Sequence, residues 1–423
     1  MTLTKIIPLN KNGQIVIAGA GPAGLTASIQ LSRDRIQHIL LEKGEFPKDK
    51  ICGDALSGKV LDIMKKLDPE IAQRFYSKEQ VALGSYGVKF VSPSGTSLDV
   101  PFKNDLSTLV HAPGFISKRT HFDQFLFEQL DFNYCDFRPN TSLKSILRED
   151  GRLLLKCQQE SKEYELACEL LIGAEGDRSV VSRQLGNFER DVKHYCAGIR
   201  CYYSQVSGMH AKNFIELHFI KDILPGYFWI FPLPGNQANV GIGIRSDVVS
   251  KRKINLREKF REIIRAHPSI SERFKNAEAL EEPKGWGLPL GSKRRQLSGD
   301  NYLLTGDAAS LIDPFTGEGI GNAMASGLTA ARCAKIACEK NRYDGLFLKQ
   351  YGEEVYRKLG PELNLSHTLQ KLSGHAWLFD FVVGKASKNK ALQETITSMF
   401  DDTDIRSRLK SPLFYFRLMF NRN

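Results

Sequence analysis

The sequence predicts an α/β protein in interleaved parts: a Rossmann-like domain with a parallel sheet, an α+β second domain with an antiparallel sheet, and a helical C-terminal region. Three observations carry that expectation. An apolar strand enters a glycine-rich turn and a helix at residues 14–25. Two further strand–turn–helix units follow at 166–183 and 302–330, and the intervening 190–290 is rich in strand patterns.

The totals bound the rest. A chain of 423 residues exceeds a single core, so two or three domains are expected. With 42% apolar and 25% charged residues the composition is that of a soluble globular protein. No stretch reaches the ~18 apolar residues of a spanning helix, and MTLTKIIPLNKNG lacks a secretory h-region, so a cytoplasmic protein is expected. Eight cysteines without a CxxC pair speak for reduced thiols, not for a metal site or a disulfide framework. The net charge of +11 comes without a nucleic-acid motif, so no nucleic-acid partner is expected. Beyond Ile405, RSRLKSPLFYFRLMFNRN carries five basic residues, no acid, and Phe414, Tyr415, Phe416 and Phe420. Such a tail either docks as a helix on the body or makes a peripheral contact with an anionic membrane.

The first unit reads QIVIAGAGPAGL. Ile15 to Ala18 suit a strand buried in a parallel sheet. Gly19, Gly21 and Gly24 follow as G-x-G-x-x-G, the Rossmann-like turn. The first allows the turn, the second admits a pyrophosphate against the backbone, and the third lets helix and strand close. Pro22 and Ala23 open the helix, whose free N–H groups face the phosphates. HILLE then ends at Glu42, about 20 residues on, where an acid binds ribose hydroxyls, with Lys43 beside it. This unit alone does not choose NAD from FAD.

The second and third units make that choice. LACELLIGAEGDRSVVSRQLG runs a strand into Glu175 and a helix expected to contain Ser179 and Arg183. In YLLTGDAASLIDPFTGEGIGNAMASGLTA a strand ends at Gly306 and Asp307, whose carboxylate can accept from ribityl or ribose hydroxyls. The turn carrying Pro314, Gly317, Glu318, Gly319 and Ile320 then presents N–H groups at a helix start, suited to the negative charge of a reduced flavin.

Together these units resemble the glutathione-reductase-type flavoproteins of the para-hydroxybenzoate hydroxylase branch, over most of residues 12–340. The resemblance implies bound FAD. It gives Gly19, Gly21, Gly24 and Glu42 to the ADP half, Asp307 to the ribityl–pyrophosphate region, and Gly317 and Gly319 to the isoalloxazine. It also gives Arg119, in SKRTHFDQFLFEQL, to the cofactor from a helix start. Glu175 departs from the usual Asp by one methylene. Only one dinucleotide fingerprint is present, so electrons are expected from a transient NAD(P)H or a protein electron donor.

The expected FAD-binding domain is discontinuous, comprising 1–82, 105–188 and 295–345, with SILREDGRLLLKC as a hairpin turning at Asp150 and Gly151. The substrate-binding β-sheet domain comprises 83–104 and 189–294, and INLREKFREIIRAH within it has helical periodicity. Residues 346–423 form a helical region expected to break at Pro361, Gly374, Gly384 and Pro412.

Within GYFWIFPLP, Tyr227, Trp229 and Phe231 alternate with Phe228 and Ile230, so one strand face carries three aromatics. Earlier, EFPKDKICGDALS places Cys52 and Gly53 after a proline and two lysines, Lys48 and Lys50, which are expected to face solvent or phosphate. These two stretches resemble the P-x-[KR]-x-C-G-G-x-L and Y-x-W-x-F-P segments of the geranylgeranyl reductase family, with Asp54 in place of the second glycine. The resemblance implies saturation of carbon–carbon double bonds in an isoprenoid or other hydrophobic substrate. Cys52 and Gly53 then approach the isoalloxazine. Cys52, Tyr227 and Trp229 are the candidate catalytic residues, and Phe231 and Asp54 the candidate substrate contacts. The alternatives are an FAD-dependent monooxygenase of an aromatic or polyene substrate, a halogenase, and a non-catalytic flavin- or lipid-binding protein. The segment GYFWIFP has Tyr227 where the halogenase motif has its first tryptophan, which disfavours the halogenase.

Overall fold

The computed structural model describes residues 15–389 together with Gln393, Glu394 and Thr397. The first apolar run forms the strand Ile15–Ala18, buried along its whole length. It lies between His38–Leu41 on one side and Leu170–Gly173 on the other, parallel to both. Tyr302–Leu304 and Cys135–Arg138 extend this sheet in parallel, and Ser298–Gly299 closes one edge in the antiparallel sense. The chain leaves Ile15–Ala18 toward His38–Leu41 and returns on its opposite side, so a crevice opens at the carboxyl ends of the central strands. Gly19, Ala174 and Gly306 all follow those ends. Helix Pro22–Arg33 closes on the first turn because a Cβ at Gly24 would lie 1.9 Å from the Gly19 carbonyl oxygen.

The second large sheet has eight strands. Its centre is Tyr195–Ser204, Gln237–Arg245, Tyr227–Leu233 and Ile215–His218, paired antiparallel in that order. Gly87–Val91 and Ser97–Pro101 extend it, and here the sheet departs from the expected antiparallel pattern: Ile215–His218 runs parallel to Gly87–Val91. The period-2 reading of GYFWIFPLP holds. Phe228 and Ile230 are fully buried in a cluster with Phe260 and Ile263 of helix Leu256–Ala266. Tyr227, Trp229 and Phe231 turn to the opposite face, toward Leu217, Phe219 and Val383. The expected hairpin joins Thr141–Glu149 to Arg152–Gln159, with Asp150 and Gly151 both at positive φ.

Three local expectations need correction. Ser179 precedes its helix, Val180–Gln184, and caps it by accepting from the Ser182 N–H. Helix Gly345–Ser373 runs through Pro361, because the carbonyl that loses its donor belongs to the exposed Arg357, where water can serve it. Gly384 likewise lies within helix Ala376–Ala386, whereas Gly374 does end the preceding helix. Pro412 and the basic aromatic tail lie outside the described residues. Among the described residues no helix is long and apolar enough to cross a membrane.

Candidate active site: a cavity between the glycine turns and the aromatic strand

A single cavity of about 1140 Å³ spans the space between the two large sheets. Its lining includes Pro22, Arg119, Asp307 and the turn 315–320 on one side, and Tyr227, Trp229 and Phe231 on the other. Cys52, Gly53 and Asp54 pass between these walls. The volume exceeds what one drug-sized ligand fills.

At the glycine turn, Glu42 is buried and its Oε2 accepts from the Ala20 N–H at 2.8 Å. Its Oε1 accepts from the Gly44 N–H at 3.2 Å, and the Lys48 ammonium pairs with Oε2. Burial pulls the Lys48 pKa below its ordinary value, with Glu42 opposing. Lys50 pairs with Asp307 at 2.8 Å. Both lysines therefore sit on acids of the site, where the expectation was solvent or phosphate. Lys43 is exposed. Open space surrounds the Cβ position of Gly21, whereas Gly19, at φ +98°, packs against the backbone of Ala174 and Glu175.

The Glu175 carboxylate turns back on its own chain. It accepts from Ser179 Oγ at 2.6 Å and from the Val180 N–H at 2.9 Å, which holds the start of the following helix. Glu318 does the same for the next unit, accepting from the Gly321 N–H at 2.6 Å just inside helix Ile320–Lys340. Asp313 shapes the turn before it through the N–H groups of Phe315 and Thr316. Arg119 opens helix Arg119–Phe127 and forms a buried bidentate pair with Asp123, at 2.7 and 2.6 Å. It also faces Cys52. Burial pushes the Cys52 thiol pKa up, and the Arg119 charge draws it part of the way back. At neutral pH the sulfur therefore keeps its proton.

The aromatic wall is tied on both sides. The Tyr227 hydroxyl donates to the Thr316 carbonyl at 2.7 Å, joining the strand to the glycine-rich turn. Trp229 lies over Gly241 of the neighbouring strand, where a Cβ would come within 2.1 Å of the indole. Its Nε1–H donates to Asn239 Oδ1 at 2.9 Å. Phe231 closes over Gly53, whose Cβ position is 3.0 Å from the ring.

Sequence reasoning named the 315–320 turn, Cys52, Asp54 and the three aromatics, and in the structure they line one cavity. It missed Asn239, Tyr202 and Arg200. The strand QANVGIGI held a signal for the first: Asn239, Gly241 and Gly243 alternate with Val240, Ile242 and Ile244, so one face is polar or bare. Arg200 is fully buried, pairs with Asp49 and Glu281, and stacks 3.9 Å from the Tyr202 ring. Nothing in its local sequence marks it.

A family model described as FAD binding domain matches residues 12–356. The chain is 29% identical over 375 residues to a digeranylgeranylglycerophospholipid reductase of Methanococcus vannielii, covering 86% of this chain and 88% of the relative. A solved structure of a geranylgeranyl bacteriochlorophyll reductase-like protein from Thermoplasma acidophilum superposes with a TM-score of 0.80 at 20% identity, over 94% of this chain and 98% of that one. The flavin-dependent halogenase CmlS superposes with a TM-score of 0.69 at 17% identity, over 83% of this chain and 63% of that one. The two structural likenesses establish the fold.

Proposed function

The chain belongs to the FAD binding domain family, and from that premise we propose that it is an FAD-dependent reductase of carbon–carbon double bonds in an isoprenoid or similarly hydrophobic substrate. The observation that carries the reading is the continuity of the cavity. It runs from Pro22 and the 315–320 turn past Cys52 to the aromatic strand, and its lining also includes Leu328, Leu365, Leu369 and Phe379, with Arg332, Lys358 and Glu362 among them.

The residues present fit the cofactor. The space beside Gly21 is open to a pyrophosphate, and a side chain there would occupy it. Glu42 suits ribose hydroxyls and would repel a 2′-phosphate. Asp307 suits the ribityl chain and the 315–320 turn the isoalloxazine, with Arg119 and Gly53 alongside. Once bound and reduced, FAD supplies a hydride.

The chain's own part is to hold the alkene, exclude water and deliver a proton. An unactivated alkene calls for a dry site, and Tyr227, Trp229 and Phe231 present ring faces that stabilise positive charge developing on carbon. Cys52 carries a retained proton at Sγ, at the junction of the flavin side and the aromatic wall. We assign it the pocket wall first and the proton donor second. The described residues match one dinucleotide fingerprint, so a nicotinamide would bind transiently, or a redox protein would take its place. A lipid substrate would lie against the aromatic strand and the lining leucines, in keeping with the activity named for the Methanococcus relative.

Mass spectrometry separates the readings. The reduced holoenzyme is incubated with polyprenyl lipids, first without and then with oxygen. A gain of hydrogen pairs supports the reductase, an added oxygen atom moves the assignment to a monooxygenase, and an unchanged lipid leaves a binding protein.

A further inference from the structure

Asp54 adopts φ +67°, a conformation that suits the glycine it replaces in the resembled motif, and it has no solvent exposure. Its Oδ2 accepts from the Tyr202 hydroxyl at 2.7 Å and from Asn239 Nδ2 at 2.8 Å. The same Asn239 amide donates to the Cys52 carbonyl at 2.6 Å, while its Oδ1 accepts from the Trp229 indole. One carboxylate thus anchors an amide that grips two walls of the cavity. We propose that Asp54 is a positioning residue: through Asn239 it locks the Trp229 indole and the Cys52–Gly53 turn in one fixed relation. Under the reductase reading, on which the purpose of the lock rests, that relation sets the aromatic face against the thiol across the alkene. The lock itself is independent of that reading.

The geometry favours a lock that tightens with charge. Hydrogen bonds to an ionised carboxylate are roughly twice as strong as neutral ones. The groups facing Asp54 come from every neighbouring element. Arg200 and Tyr202 lie on the strand Tyr195–Ser204, Asn239 on Gln237–Arg245, and Lys118 and Arg119 at the start of helix Arg119–Phe127. Cys52, Lys50 and Asp49 lie on its own segment. Lys118 sits 4.7 Å from the Tyr202 ring, and Arg200 3.9 Å from it, so cations flank the tyrosine that donates to Asp54. Asp49 draws on Arg200 and Lys50 on Asp307, which leaves the carboxylate only part of their field. Oδ1 is buried with no hydrogen-bond partner. Burial accordingly raises the Asp54 pKa to about 6, against the pull of Tyr202, Asn239, Arg200 and Arg119. Below that pH the acceptor at Oδ2 weakens and the lock loosens.

The test reads the indole directly. In the FAD-loaded, nitrogen-15-labelled protein, Trp229→Phe assigns the Trp229 indole N–H among the three tryptophans. Its resonance should titrate with a midpoint near pH 6 in the parent protein and stay fixed in Asp54→Asn. In Asp54→Gly the same indole proton should exchange roughly tenfold faster, as the loss of one buried anchor implies. A resonance that does not move in the parent between pH 5 and 7.5 overturns the lock, and so does parent-like exchange in Asp54→Gly. These two measurements stand if Asp54→Asn fails to fold. A titrating Trp229 in a protein that hydrogenates no polyprenyl lipid supports the lock and overturns the reductase reading instead.

Discussion

The hydroxyl of Tyr227 donates to the carbonyl of Thr316 at 2.7 Å, across 89 residues of sequence. The bond connects the aromatic strand of the second sheet to the turn that launches helix Ile320–Lys340. The aromatic strand and the glycine-rich turn are therefore one mechanical unit.

Removing that bond should be felt on both sides. Tyr227→Phe keeps the ring and leaves the Thr316 carbonyl without its donor, at a cost of about 1 kcal/mol or somewhat more in stability. Weaker FAD retention should accompany it, because the turn gains freedom. Denaturant unfolding and flavin-release fluorescence on the same variant measure the two effects. Unchanged flavin affinity would separate the strand from the turn.

Gly241 is the counterpart of Trp229 in the neighbouring strand, and the indole occupies the place a side chain would take. Gly241→Ala should therefore displace the indole and cost about 1–3 kcal/mol, the range for overpacking. Combining it with Trp229→Leu should recover only the part of that loss that the ring causes, because the added Cβ would also lie 2.5 Å from the Ile199 carbonyl oxygen. A double-mutant cycle in urea gives the coupling. Additive losses would show that the contact is not what the glycine serves.

How much of this was legible in the sequence depends on the range of the interaction. The glycine turns were, because each glycine answers a constraint set by residues within the same strand–turn–helix unit. Gly24 against Gly19 is such a case. The aromatic face was legible from its period of two alone. The Pro361 helix was not, since its survival depends on whether water reaches Arg357. The destination of the Glu175 carboxylate was obscure for a different reason. The extra methylene lets it reach the Val180 N–H, and no spacing rule distinguishes that from a contact with a ligand. The partners of Asp54 were hidden most deeply, because Tyr202 and Asn239 come from other strands, 148 and 185 residues away.

Cys52 gives a prediction with a pH sign. Burial raises its pKa, so at neutral pH the thiolate fraction is below that of a free thiol. Alkylation by iodoacetamide at pH 7 should be slower than for a model thiol by more than access alone explains, and should accelerate with pH beyond the ordinary cysteine midpoint. Cys52→Ala should retain FAD and slow product formation, by roughly a hundredfold or more if the thiol is the proton donor. Turnover equal to the parent would confine Cys52 to the pocket wall.

Asp54 makes the folded protein sensitive to pH in an unusual direction. Its pKa rises from 3.8 in the open chain to about 6 in the fold, so the folded state holds the proton more tightly. Stability linked to this group is present in full below pH 4 and is lost as pH rises through about 6, the reverse of a carboxylate stabilised by a salt bridge. Glu216, held down to about 2 by His218 and Arg273 against its burial, is of that opposite kind and loses stability as pH falls. A curve for the parent alone mixes the two. The difference between the parent and Asp54→Asn isolates the first, because every other group is common to both. From pH 4 to pH 8 that difference should move in favour of the variant by on the order of 2–3 kcal/mol, the equivalent of the shift. Urea unfolding at matched FAD saturation across that range measures it. A flat difference curve would mean that the buried carboxylate is already ionised at pH 4, with Arg200 and Arg119 outweighing its desolvation.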